Sequence, residues 1–185
     1  METPPNNFSL LGLAIYAWDC VARTVSCVWS TARARAVLAL LGGRCGSGLR
    51  VDGKLIIRAA RKGVLTLGHN VKINSRLRSN LVGLVQPTIL HCTQQGRIII
   101  GDNTGLSSVI ISARTKIEIG NHVNLGGNVR IYDHDYHALD HAARRVPARD
   151  IAECKTAPVT IGDDVLIGAN AIILKGVTIG ARSVI

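Results

Sequence analysis

The stretch IGDDVLIGANAIILKGVTIGARSVI, residues Ile161–Ile185, brings back an aliphatic side chain at every sixth position: Ile161, Ile167, Ile173, Ile179 and Ile185. Four residues after each of the first four stands a second small side chain suited to an interior, at Val165, Ala171, Val177 and Ser183. Glycine follows the leading isoleucine at Gly162, Gly168 and Gly180. Neither the 3.6-residue period of a helix nor the period of two of a strand generates a strict six. A triangular coil does, because each flat side takes about six residues before the chain turns.

The same repeat runs upstream. Ile119, Leu125 and Ile131 lead three hexads, with Val123 and Val129 at the second inward position. Ile100 and Leu106 lead two more, followed by Thr104 and Ile110, and Leu67 and Ile73 lead an early pair with Val71 and Leu77. The 13-residue spacing from Leu106 to Ile119 implies one extra residue at a corner, and the register is lost across 80–95. The fourth hexad position carries Asn70, Asn103, His122, Asn128, His134, Asp164, Asn170 and Gly176. These residue types tolerate positive φ best, so this position reads as a tight corner from which side chains point outward. The fold class is therefore an all-β solenoid, a parallel β-helix over 49–185.

Composition agrees. Aromatic residues make up only 3% of the 185, as a narrow prism interior requires. Residues 137–158 are polar and break the repeat between two blocks that are in phase. They read as one loop ejected from a corner, and removing them stacks Ile161 on Ile119, Ile167 on Leu125 and Ile173 on Ile131. Long loops of this kind carry function.

Residues 1–48 form a separate N-terminal segment. Met1–Asn7 is short, polar and loose, and Phe8–Leu41 reads as an amphipathic helix ended by Gly42 and Gly43. Its apolar run Phe8–Trp18 is too short to span a bilayer. A helix mixing Trp, Leu and Arg can lie in a membrane interface or cap the first coil. The net charge of +10 sits almost wholly in residues 1–80, at +9. Such a face suits anionic lipid or a phosphate-bearing ligand. Nucleic acid is not expected, for there is no zinc-finger spacing and almost no ring to stack a base. Five cysteines with no CxxC pair indicate reduced thiols in a cytoplasmic protein, peripheral at most to the inner membrane face.

The segment Tyr132-Asp133-His134-Asp135-Tyr136-His137 stands where the coil gives way to the loop. A corner histidine between two aspartates suits a general base whose tautomer a carboxylate fixes.

The hexad array, the segment DHDYH, the ejected loop and APVTIGDDVLIGANAIILKGVTIG together resemble the hexapeptide-repeat acyltransferases. The likeness is greatest to the branch of maltose and galactoside O-acetyltransferases and the sugar acetyltransferases of surface-polysaccharide synthesis. The resemblance covers about 67–185. It implies a left-handed parallel β-helix, a homotrimer, and acetyl-CoA as co-substrate in the cleft between adjacent prisms, with no metal. By position it implies His134 as the base that deprotonates a sugar hydroxyl, with Asp133 or Asp135 orienting it. It places Gly168, the Ala169 N–H and Lys175 toward the cofactor, and Ser108 and His137 toward a small or lipid-linked sugar acceptor. Leu166 stands where the family commonly has Trp, and Ala169 where it often has Ser. Relatives continue past the position of Ile185, so the prism is expected to be C-terminally incomplete or covered by the trimer.

Two rival functions share the fold. A zinc enzyme like the γ-class carbonic anhydrases needs three histidines, and His122, His134, His137 and His141 supply them in number. A non-catalytic scaffold is the other.

Overall fold

A computed structural model describes residues 9–62, 64–93 and 95–185. Met1–Asn7 and Phe8 lie outside the described residues. The chain winds a three-sided parallel β-helix. Face 1 carries strands β1 (Arg44–Cys45), β4 (Leu65–Leu67), β7 (Arg97–Ile100), β10 (Lys116–Ile119), β13 (Val159–Ile161) and β16 (Thr178–Ile179). Face 2 carries β2 (Arg50–Gly53), β5 (Lys72–Ser75), β8 (Gly105–Ser107), β11 (Asn124–Leu125) and β14 (Leu166–Ile167). Face 3 carries β3 (Ile56–Ala59), β6 (Ile89–Cys92), β9 (Ile110–Ala113), β12 (Arg130–Tyr132) and β15 (Ile172–Ile173).

The register follows the repeat. Ile119 pairs with Ile161, Leu125 with Ile167 and Ile131 with Ile173, as the sequence implies once the loop is removed. Hexad leads fill the prism: Ile100, Leu106, Ile119, Leu125, Ile131, Ile161 and Ile167 are all buried. Each buried aliphatic side chain contributes about 1.5–3 kcal/mol relative to exposure, so the stacked leads supply most of the stability.

The corner between faces 1 and 2 keeps the period of six throughout. Asn70, Asn103, His122 and Asp164 stand there with φ between 55° and 58°. The residue before each turn caps the coil above. Asp102 accepts the His69 N–H at 2.7 Å, Asn121 accepts that of Asp102 at 2.8 Å, and Asp163 accepts that of Asn121 at 2.7 Å. Short polar side chains are selected there because they satisfy backbone donors that the turning chain leaves unpaired.

The other corners carry the irregularity. The 13-residue spacing from Leu106 to Ile119 does not hide one added residue. The buried lead between them is Ile111, so five residues turn the first corner and eight the second. Val109, not Ile110, is the inward residue that follows Ser108. Leu77 is 63% exposed, because 76–88 leave the coil between β5 and β6 as a first excursion that hides the local register. A second excursion, 133–158, separates β12 from β13 and contains two short helices, α2 (His141–Arg144) and α3 (Pro147–Ala152).

Helix α1 (Leu10–Leu40) precedes the coil. Gly42, at φ 63°, ends it: the Gly42 N–H reaches the Ala39 carbonyl at 2.9 Å and the Gly43 N–H that of Leu38 at 2.8 Å. Its last turns close the open end of the prism. Cys27, Ala34 and Leu38 are buried, and the Thr31 hydroxyl accepts the Val51 N–H at 2.9 Å. Its first half projects, with Leu10, Leu11, Ile15 and Trp18 exposed. The expectation of a run too short to span gives way here. The helix continues past Asp19 and is long and apolar enough to cross a membrane by length and composition.

Candidate active site

The eight-residue turn after Ile111 creates the site. Its added residues, Arg114 and Thr115, turn two backbone N–H groups toward the next coil. Asp133 leaves β12 in line with the inward column of Cys92 and Ala113, and its carboxylate enters that turn. It accepts the Arg114 N–H and the Thr115 N–H at 2.7 Å each, and the Thr115 hydroxyl at 2.8 Å. Its remaining partner is His134, whose Nδ1 lies 3.0 Å from Oδ1. Burial alone would raise the Asp133 carboxyl. The hydrogen bonds from His134, Arg114 and Thr115 outweigh it and hold the group below the ordinary carboxylate value. The same buried charge adds to the burial of the Cys92 thiol, which is pushed up to about 12.

His134 does not project outward, and it does not adopt the positive φ of the other corner residues. Its side chain is only 3% exposed. The cover comes from the second excursion rather than from the aliphatic core. His134 bridges antiparallel to Thr156, the Asp135 N–H reaches the Lys155 carbonyl at 3.2 Å, and Ala157 returns to Asp133 at 2.9 Å. Tyr136, with φ 63°, lays its ring 4.3 Å from the imidazole. Nε2 of His134 has no hydrogen-bond partner among the described residues, so the ring is held by one nitrogen and presents the other.

The remaining candidates divide between two corners. Asp135 stands beside His134 but is paired with Lys175, at 2.6 Å. His137 lies farther along the excursion, 70% exposed, against Asp150 at 2.7 Å. Ser108, Gly168 and Ala169 stand at the opposite edge of face 3, and a single chain does not bring them to His134. Ser108 is fully buried under the first excursion, where Gln86 donates to its carbonyl at 3.3 Å. Ala169 is exposed, and its N–H has no partner among the described residues. His122 stands at the third corner, 3.4 Å from the Asn103 amide, and His141 is exposed on the second excursion. Among the described residues no three His, Cys, Asp or Glu side chains gather.

Sequence reasoning passed over Tyr136 and the Arg114–Thr115 turn. The one available signal was the phase break after Leu106, which marks the turn that receives Asp133.

Residues 158–185 match the family described as the hexapeptide repeat of succinyl-transferase. The match falls on the last coils of the solenoid and agrees with the resemblance that the repeat carries. A candidate acetyltransferase of Saccharomyces cerevisiae, YJL218W, is 37% identical over 103 residues, 55% of this chain and 49% of that one. This hexapeptide-repeat chain thus spans about half the length of its yeast relative. Among solved structures, the Bacillus cereus N-acyltransferase AntD, in complex with dTDP and 3-hydroxybutyryl-CoA, superposes with a TM-score of 0.59. The match covers 82% of this chain and 77% of that one, at 21% identity, and speaks to the fold alone. The hexapeptide-repeat acetyltransferase VCA0836 of Vibrio cholerae is 25% identical with a TM-score of 0.48, over 83% of this chain and 65% of that one. The solenoid is the left-handed parallel β-helix with an N-terminal helix.

Proposed function

We propose that this chain is an acetyl-CoA-dependent O-acetyltransferase acting on a hydroxyl of a sugar or glycan precursor, with His134 as general base. The observation that carries this reading is the buried Asp133–His134 pair, 3.0 Å apart, with Nε2 left free. A carboxylate on Nδ1 keeps the proton there and leaves the Nε2 lone pair to accept one. In the step proposed, Nε2 takes the acceptor's hydroxyl proton while its oxygen attacks the thioester carbonyl. The carbon–sulfur bond breaks, and the proton passes to the departing CoA thiolate. Asp133 stabilises the imidazolium formed between the two events.

The oxyanion calls for a preorganised donor, and the unpaired, exposed Ala169 N–H beside Gly168 suits that role. It stands across the width of face 3 from His134. At 3.3 Å per strand residue that is roughly 13 Å, too far for one chain to use both. A homotrimer, with acetyl-CoA between neighbouring prisms, joins one subunit's base to the next subunit's Ala169. The acyl-CoA named in the AntD complex supports the cofactor class. A panel of sugars with acetyl-CoA tests the reading by thiol release. Wild type turns over with at least one acceptor and His134→Ala loses the activity. Full activity in that variant removes His134 from the mechanism.

We further infer that the projecting half of α1 lies on a membrane surface, on the cytoplasmic side that five free thiols suit. The exposed Leu10, Leu11, Ile15 and Trp18, above an N-terminal region of charge +9, support contact with anionic lipid. Co-sedimentation with anionic liposomes that is unchanged by deleting residues 1–25 overturns it.

A further inference from the structure

On face 3 the outward residues of successive coils stack in register. Arg58 pairs with His91, His91 with Ser112 and Ser112 with Tyr132, the rung that leads into Asp133 and His134. A surface groove lies over the first two rungs of this column and is lined by Leu41, Arg58, Ala59, His91, Cys92 and Thr93. It holds an unusual set of donors. Arg58 is exposed and has no carboxylate partner among the described residues. The Oγ1 of Thr93 is buried and unpaired. His91 Nδ1 lies 3.2 Å from the hydroxyl of fully buried Ser112. With that hydroxyl donating, the imidazole proton sits on Nε2, which faces away from Ser112. Burial, and then the neighbouring His134 and Arg58, lower the His91 titration and favour this neutral donor form.

We propose that this groove is an acceptor subsite for phosphate. The Arg58 guanidinium pairs with the anion, and His91 Nε2–H and the Thr93 hydroxyl donate to it. The hydroxyl to be acylated meanwhile rests at His134. The proposal builds on the acyl-transfer reading and narrows it to acceptors that carry a phosphate, such as glycosyl phosphates. Strand β6 lies two rungs from β12, so the phosphate and the reacting hydroxyl are roughly 10 Å apart at 4.8 Å per rung. That is the reach of one sugar ring with its phosphate on the far side. The phosphates of CoA are the other possible source. The acetyl-CoA arm of the experiment separates the two sources.

The experiment compares wild type with Arg58→Ala, an exposed position that leaves the fold intact as checked by thermal melting. Thiol release is measured with hexoses, with the matching hexose 1-phosphates, and over a range of acetyl-CoA. In Arg58→Ala, KM for the phosphorylated acceptors rises roughly tenfold, as loss of a charge-assisted contact implies. KM for plain hexoses and for acetyl-CoA stays unchanged. A rise in KM for acetyl-CoA instead, or no change at all, overturns the subsite. Isothermal titration with inorganic phosphate supplies a readout free of turnover: wild type binds and Arg58→Ala does not. Phosphate binding that depends on Arg58, in a protein that acylates no acceptor, keeps the groove and sinks the acyl-transfer reading. Turnover with phosphate binding indifferent to Arg58 does the reverse.

Discussion

Asp133 and His134 form a pair 3.0 Å apart in which the carboxylate, not the imidazole, is the anchored partner. Three donors from Arg114 and Thr115 fix Asp133, and Asp133 then fixes His134. An amide at this position keeps the shape but offers a donor where Nδ1–H needs an acceptor. Asp133→Asn is therefore expected to lower kcat by about 10²–10⁴-fold, with KM for acetyl-CoA nearly unchanged. Steady-state thiol-release kinetics check this, and an unaltered kcat removes Asp133 as the positioning residue.

The same carboxylate links stability to pH. Its folded titration lies below the ordinary value of about 3.9. Between those two values the unfolded chain binds the proton and the folded chain does not. The stabilisation from Asp133 is thus complete above about pH 4 and is lost as pH falls through the folded value. Melting temperature against pH should show wild type losing its advantage over Asp133→Asn in that acid window. A gap between the two proteins that widens on acidification contradicts the assignment.

How much of this was legible follows from where the period holds. Ile119, Leu125, Ile161 and Ile167 announced their stacking because nothing interrupts the corner between faces 1 and 2. Leu81, Val82 and Val85 look like core residues in sequence yet are exposed on the first excursion, so the register across them could not be read. The burial of His134 was hidden for another reason. Its cover comes from Tyr136 and from Thr156, contacts made by a loop folding back on itself. A local hexad count assigns His134 to an outward corner, but the chain reaches the left-handed turn only at Tyr136.

Lys175 Nζ meets Asp135 Oδ1 at 2.6 Å, with the two side chains 26% and 16% exposed. The other oxygen of Asp135 is buried without a partner. Removing the cation leaves a half-buried charge unopposed, so Lys175→Ala should destabilise by about 1–3 kcal/mol. Urea unfolding of both single variants and the double variant gives the coupling directly. Additive effects show that the contact contributes nothing.

Asn128 joins the first excursion to the coil. Its Oδ1 accepts the Val85 N–H at 3.0 Å and its amide donates to the Gly83 carbonyl at 2.9 Å, while its backbone holds φ 63°. Alanine loses both bonds and is strained in that conformation, whereas glycine loses the bonds alone. Asn128→Ala is expected to cost about 2–4 kcal/mol and Asn128→Gly about 1 kcal/mol less, measured by denaturant midpoint. Equal losses in the two variants mean that the backbone strain is absent.

Helix α1 has two halves under different constraints, and two substitutions separate them. Leu38 is 1% exposed and packs into the aliphatic interior at the end of the prism. Truncation there removes apolar contacts and opens a cavity that the rigid coil cannot close, because strand ladders fix the spacing of its walls. Leu38→Ala should therefore lower stability by about 2–5 kcal/mol. Trp18, on the projecting half, is 75% exposed, and its loss should stay within about 0.5 kcal/mol of wild type in solution. The order reverses on anionic liposomes, where Trp18→Ala weakens binding while the Leu38 variant, if folded, binds as wild type does. Thermal melting with and without liposomes measures both effects. A large solution penalty at Trp18 shows that the first half of α1 packs against protein, and it withdraws the membrane-surface proposal.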